Sequence, residues 1–359
     1  MKNYNYFSLL IPFLLCATFA SSVSALPIDI LPIHNTDFSP RDINILSLGD
    51  WGTASLGGYH LRNAQSTSYA MKIYASEYKP ELILNTGDNF YYCGIQNTSD
   101  PQINTDYISL FGNIGLSWYN TLGNHDYGFN PAAQLELNKT IPNWIMDDRY
   151  YHRRVILSNI TLNITLNIIV LDTNPCINDY RGDDRAKWDP CSIQYPTCSP
   201  MPGECMFHQN IIAQDCKKQL DWFNTTVSSI PPNEWVFVLG HHKADEIDTE
   251  DFLSIINSDR VHLYLNGHNH NLEHYSIDQN PKYITTGAAG MVIIGNTNVK
   301  LHDTSSKFNA RNHHVKSVWS KIITGFTSHT FTDYGTKIRT DFWDVNQHIL
   351  YSFTVSLDK

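Results

Sequence analysis

The chain reads as a layered α/β fold, and two observations predict it. Short apolar runs of strand character alternate with amphipathic helical stretches, an alternation that stacks helices on sheets. Five of those runs also stop at a glycine followed by Asp, Asn or His. Ligands in such folds gather at the carboxyl ends of the strands, and all five motifs begin there.

Residues 43–48 form the first strand-like run, ending at Gly49-Asp50 in GDWG. Residues 64–78 follow as a helix with Ala70, Ile73 and Tyr74 on one face. The run 82–84 leads to Gly87-Asp88 in GDNFY, and 118–122 leads to Gly123-Asn124-His125 in GNHD. Residues 164–171 make a long apolar strand ending at Asp172. Leu220, Phe223 and Val227 mark a helix before the strand 235–239, which ends at Gly240-His241. A helix capped by Thr249 carries Phe252, Ile255 and Ile256 ahead of 261–265 and the GHNH motif of His268 and His270. The glycine before each ligand is expected to turn the backbone sharply, so that the next side chain points into a cleft. No Gly/Ser-rich or Pro-rich linker interrupts positions 50–270, so 26–359 is read as one catalytic domain.

At 359 residues, 42% hydrophobic and 17% charged, the composition is that of a globular protein with ample core. A formal charge of −10 argues against nucleic acid or an anionic membrane as partner. Lys2, an apolar stretch over 7–19 and the small residues Val23-Ser24-Ala25 predict a signal peptide over 1–25, cut near Leu26. The stretch falls short of the roughly 20 residues a bilayer span needs, and no second one follows, so no transmembrane anchor is expected in the mature chain. Cys93, Cys176, Cys191, Cys198, Cys205 and Cys216 remain after the signal and predict up to three disulfides, with the pairing left open. Five of them crowd a Pro-, Asp- and Gly-rich insertion around 176–216. A zinc knot is the alternative, but no CxxC pair is present. Sequons at Asn97, Asn138, Asn159, Asn163 and Asn224 predict glycosylation in a secreted or lysosomal protein.

Asp50, Asp88, Tyr91, Asn124, His241, His268 and His270 together offer the oxygen and nitrogen donors that a pair of metal ions needs. A phosphate ester repels an incoming anion, and two ions roughly 3.5–4 Å apart answer this by generating hydroxide and neutralising phosphoryl charge. One carboxylate must bridge them, and Asp88 is the candidate because its motif falls between the other groups. Asp50, Tyr91 and His270 with Asp88 make an anionic set suited to ferric iron. Asn124, His241 and His268 with Asp88 make a mostly neutral set suited to divalent iron, zinc or manganese. His125 is left to contact the substrate or its leaving group. Singly, each residue has a plainer use: Asp after Gly is commonly a turn residue, and a lone Tyr or His is commonly packing. All five motifs in this order have no such explanation.

The series GDWG, GDNFY, GNHD, GH and GHNH resembles that of the purple acid phosphatases. The likeness is nearest to the small single-domain type that includes tartrate-resistant acid phosphatase, and it runs from about Ile43 to near Phe353. The resemblance implies the metallophosphoesterase fold, a four-layer α-β-β-α sandwich of two mixed sheets flanked by helices. It implies a ferric ion on Asp50, Asp88, Tyr91 and His270, and a divalent ion on Asp88, Asn124, His241 and His268. It also implies phosphate monoester hydrolysis at acidic pH by a metal-bound hydroxide, without a covalent phosphoenzyme, and a purple tyrosinate-to-iron colour. The chain departs from the family after His241, where a Pro, an aromatic residue and a later histidine are usual. Here His242-Lys243-Ala244 follows, with Asp248, Glu250 or His242 as possible stand-ins for that histidine. The missing histidine motivates a second reading, a weakly active or inactive relative serving as a binding scaffold. Some parasite members of the family anchor motor complexes to membranes, normally through a C-terminal segment absent from 351–359. A third reading keeps the enzyme and changes the substrate to diesters, nucleotides or peroxide.

Overall fold

The structure, a computed structural model, describes residues 42–159, 162–182, 188–191, 198, 203–292 and 313–357. The signal-peptide reading of residues 1–25 lies outside the described residues. Strands β1 (Ile43–Leu48), β2 (Leu82–Asn85), β3 (Ser117–Asn120) and β4 (Trp144–Ile145) pair in parallel. The chain then lays down a second sheet: β5 (Tyr151–Ser158), β6 (Asn163–Val170), β7 (Trp235–Leu239), β8 (Leu263–Asn266), β9 (Leu272–Ile277), β10 (Asn280–Thr286) and β11 (Val315–Lys321). It returns to the first sheet with β12 (Gly325–Thr332), β13 (Lys337–Asp344) and β14 (Ile349–Ser356). The orders are β14-β13-β12-β1-β2-β3-β4 and β11-β9-β10-β8-β7-β6-β5. In the second sheet β6, β7, β8 and β10 are parallel, and both sheets are mixed.

Period-two alternation explains the layering. Trp235 and Phe237 of β7 point inward onto Phe331 of β12, while Val236 and Val238 point outward. The outward set packs with Phe223 and Val227 of one helix and Phe252 of another. The helices are α1 (Gly58–Tyr78), α2 (Pro131–Leu135), α3 (Asn178–Arg181), α4 (Phe207–Ile212), α5 (Cys216–Ser229) and α6 (Phe252–Ile256). Helix α1 covers the other outer face, with Tyr74 edge-on to Phe326 and Trp343. The result is helix, sheet, sheet, helix.

Two local expectations are corrected. Helix α1 begins at Gly58, because the Gly57-Gly58 pair reads as a turn but supplies only the helix entry. The cap of α6 is Asp251, whose side chain accepts from Ser254 N at 3.0 Å. Thr249 lies too far upstream to reach that first turn.

His329 sits buried between Ser47 Oγ (2.8 Å) and Thr340 Oγ1 (2.9 Å). Burial drives its pKa from 6.5 down to about 3. The folded protein therefore refuses a proton that the unfolded chain accepts, so this stability is complete above pH 6.5 and is lost as pH falls toward 3. Across the whole window the loss is on the order of 5 kcal/mol. Thermal melts should show Tm falling over that window, with a shallower slope in His329→Asn; identical slopes would refute the assignment.

Candidate metal centre

The parallel strands of both sheets end at one shared edge, so the segments after β1, β2, β3, β7 and β8 meet. Asp88 lies at the middle, fully buried. Its Oδ2 accepts from the Tyr91 hydroxyl at 2.7 Å. Tyr91 Oη is also 3.0 Å from Asp50 Oδ1 and 3.2 Å from His270 Nε2. The other oxygen of Asp88 faces the second half, with His241 Nε2 at 3.4 Å. There Asn124 Oδ1 lies 2.9 Å from both His241 Nε2 and His268 Nδ1. The structure thus brings all seven proposed ligands together, in the two halves expected, with one Asp88 oxygen turned to each.

The donor set fits cations. His241 Nδ1 faces the Thr86 carbonyl at 2.8 Å and must carry its hydrogen there, so in the neutral ring Nε2 presents a lone pair to the Asn124 oxygen. Acceptors facing acceptors at 2.9 Å need a proton or a cation between them. The ion-pair partners of Asp50 and Asp88 among the described residues are histidines, His270 and His241. Burial works against a charged His241, but Asp88 outweighs it and lifts the pKa to about 9. Burial likewise opposes ionised Asp88, yet His241 and His125 hold it well below the usual carboxylate range. For Tyr91, burial and then Asp50 and Asp88 push the pKa well above 10. Cations bound here would take the place of these shared protons. Donor atoms of Asp50, Asp88 and His241 lie within 4.8 Å of one another.

The backbone is shaped for this convergence. Asp50 (φ 58°), Asp88 (54°), His268 (69°) and His270 (53°) occupy the left-handed region, at a cost of order 1 kcal/mol each. This corrects the expected role of the glycines. Only Gly87 (φ 95°) among those preceding a candidate ligand has positive φ; Asp50, Asp88 and His268 make the turn themselves. The others are glycine for space: a Cβ on Gly123 would fall on Asp88 Oδ1, and one on Gly267 on Asp50 Oδ2.

His125 lies at the rim, 9% exposed, with Nδ1 held by the Tyr92 carbonyl at 2.7 Å. Asp248 is tied to Asn178 N at 2.7 Å. His242 has both ring nitrogens engaged, by Thr173 Oγ1 (2.9 Å) and Tyr180 Oη (3.1 Å), so neither residue stands free to replace the missing histidine. Sequence reading overlooked His60, on the first turn of α1. It is buried, its Nδ1 has no hydrogen-bond partner among the described residues, and burial, aided by His270, lowers its pKa. It also overlooked Asp126, present only as the last letter of GNHD, and Trp188 of the insertion.

All six cysteines pair, as Cys93–Cys198, Cys176–Cys216 and Cys191–Cys205, which removes the zinc-knot alternative. Cys93 is two residues past Tyr91, so one bridge fastens the insertion to the centre. Asn97, Asn138, Asn163 and Asn224 are exposed; Asn159 is half-buried and accepts from Leu162 N at 2.9 Å. Among the described residues no helix is long and apolar enough to cross a membrane.

Residues 43–272 match the calcineurin-like phosphoesterase family, and the chain belongs to it. Within that family it falls among the purple acid phosphatases. It is 25% identical to purple acid phosphatase 7 of Arabidopsis thaliana, over 80% of this chain and 81% of that protein. It is 25% identical to tartrate-resistant acid phosphatase type 5 of Mus musculus, over 72% of this chain and 76% of that one. Among solved structures it is similar to GAP50, the anchor in the inner membrane complex of Plasmodium. That match has a TM-score of 0.60 at 20% identity, covering 89% of this chain and 90% of that one. A dimetal phosphatase from Danio rerio matches with a TM-score of 0.50 at 13% identity, over 89% of this chain and 100% of that one. Both structural likenesses bear on the fold alone. Phosphoester hydrolysis at a metal centre is the chemistry of this family.

Proposed function

We propose that the chain is an acid phosphatase hydrolysing small phosphate monoesters at a ferric plus divalent (iron, zinc or manganese) centre. The single observation that carries this reading is Asp88, a buried carboxylate with one oxygen toward each half of the site. Asp50, Tyr91 and His270 complete the ferric half; Asn124, His241 and His268 complete the divalent half. When bound, such an ion pair supplies Lewis acidity and an acidified water. Thr86 orients His241 through its carbonyl, as an outer partner fixes a ligand's tautomer.

His125 is the proton donor to the leaving group in this reading. With Nδ1–H given to Tyr92, Nε2 is the atom available to the cleft. Burial lowers the pKa of His125 below 6.5, with Asp88 opposing, so the imidazolium forms only on the acid side. Leaving-group protonation then fades as pH rises, which suits a mildly acidic optimum. His125→Ala should lower kcat on an alkyl phosphate about 10²-fold, and much less on p-nitrophenyl phosphate, whose phenolate leaves unaided. Equal losses on both substrates would remove His125 from this role.

Secretory targeting by residues 1–25, glycans on the five sequon asparagines and a single catalytic domain over 26–359 belong to the same proposal. Its test is elemental analysis with a visible spectrum, alongside p-nitrophenyl phosphate turnover between acidic and neutral pH. Protein with neither bound metal nor turnover would end it.

A further inference from the structure

We infer that Trp188 of the cysteine-rich insertion is a specificity-determining residue that selects phosphate monoesters with an aromatic leaving group. The inference rests on the monoesterase reading above and adds what is attached to the phosphate. Trp188 lies 5.1 Å from the His125 ring, centroid to centroid, with planes 70° apart. The indole and imidazole therefore form a corner at the edge of the centre. A flat ring stacked on one wall meets the edge of the other, the arrangement that aromatic quadrupoles favour. Since His125 stands where the leaving group departs, a ring bonded directly to the ester oxygen reaches this corner, whereas a short alkyl alcohol leaves it unfilled.

The corner is built rather than incidental. Phe207 of α4 packs edge-on to Trp188 at 5.4 Å and Tyr180 of α3 packs tilted at 5.8 Å, and both are buried. Trp188 itself is only half-buried, so part of the indole is not spent on that packing. Its segment is pinned in place. Asp189 Oδ1 accepts from Cys191 N at 2.7 Å, and the Pro190 carbonyl accepts from Cys198 N at 3.0 Å. Cys191 is bonded to Cys205, and Cys198 to Cys93 beside the Tyr91 loop. A wall tethered by these bonds has less freedom to lose when a ring docks against it.

The experiment compares phenyl phosphate with glycerol 2-phosphate on the intact metal-loaded protein, wild type against Trp188→Ala and Trp188→Phe. Trp188→Ala should lower the phenyl-to-glycerol ratio of kcat/KM about tenfold, mainly through KM for the aryl ester, and Trp188→Phe should restore much of it. A purely structural role would lower both substrates together and leave the ratio within about twofold of wild type, which overturns the inference. Wild-type protein inactive on both substrates would instead sink the monoesterase reading, so the two failures are distinguishable.

Discussion

Asparagine at position 88 should cut p-nitrophenyl phosphate turnover about 10³-fold or more, the equivalent of about 4 kcal/mol of transition-state stabilisation. The side chain keeps its shape but loses its charge, and one of its two oxygens becomes an amide donor. Oδ2 now meets Tyr91 Oη at 2.7 Å, and Oδ1 takes the His125 N–H at 3.0 Å while facing His241. Either orientation of the amide leaves one half of the centre facing an NH2 donor and the other an uncharged carbonyl, so neither keeps a shared anionic oxygen. Metal content should drop with activity. Cations that bind only the folded state stabilise it, by about 4 kcal/mol at a thousand times Kd. Chelation should therefore lower the wild-type Tm by several degrees and that of Asp88→Asn much less. Retention of both ions by the variant, at a rate near wild type, would refute a bridging Asp88. Equal near-zero rates in wild type and variant would instead favour the scaffold reading.

The convergence of the candidate ligands was readable in the sequence because parallel strands all end at one edge. Each of Asp50, Asp88, Asn124, His241 and His268 announces itself as the residue after an apolar run and a glycine. His270 follows by alternation, although it lies in the opposite half from His268: one approaches Tyr91, the other Asn124. What holds these residues was hidden. Left-handed φ at Asp50 or His268 is imposed by contacts between sheets, such as His268 N to Asp50 Oδ2 at 3.0 Å, whose partners lie 218 positions apart. Cys93 and Cys198 are 105 positions apart, and six cysteines admit many pairings. The Thr249 and glycine readings failed for a related reason. Local sequence shows which residue can turn or cap, but packing decides which one does.

Asp126 shows how much of the centre depends on such hidden contacts, and Asp126→Ala should be the most damaging substitution to stability. The carboxylate is fully buried one residue past His125. It accepts from Gly123 N (2.7 Å), Asn89 N (3.1 Å), Phe90 N (3.1 Å) and Gln134 Nε2 (2.8 Å). Burial and Asp88 push its pKa up, while these N–H donors favour the charged form. It therefore ties the loop of Asn124 and His125 to the loop of Asp88 and Tyr91. Alanine would strand four buried donors, each costing about 1–3 kcal/mol and not fully additive, for a total of about 4 kcal/mol. In a chain of 359 residues that lowers Tm by roughly 5 °C. Folded variant at low temperature should still bind metal about 10–100-fold more weakly, because the two ligand loops no longer share an anchor. His125→Ala, one position away, should leave Tm and metal affinity near wild type while losing rate. The contrast separates holding the centre from acting in it. An Asp126→Ala protein that melts with wild type and keeps its metals would show that the strands alone fix the loops.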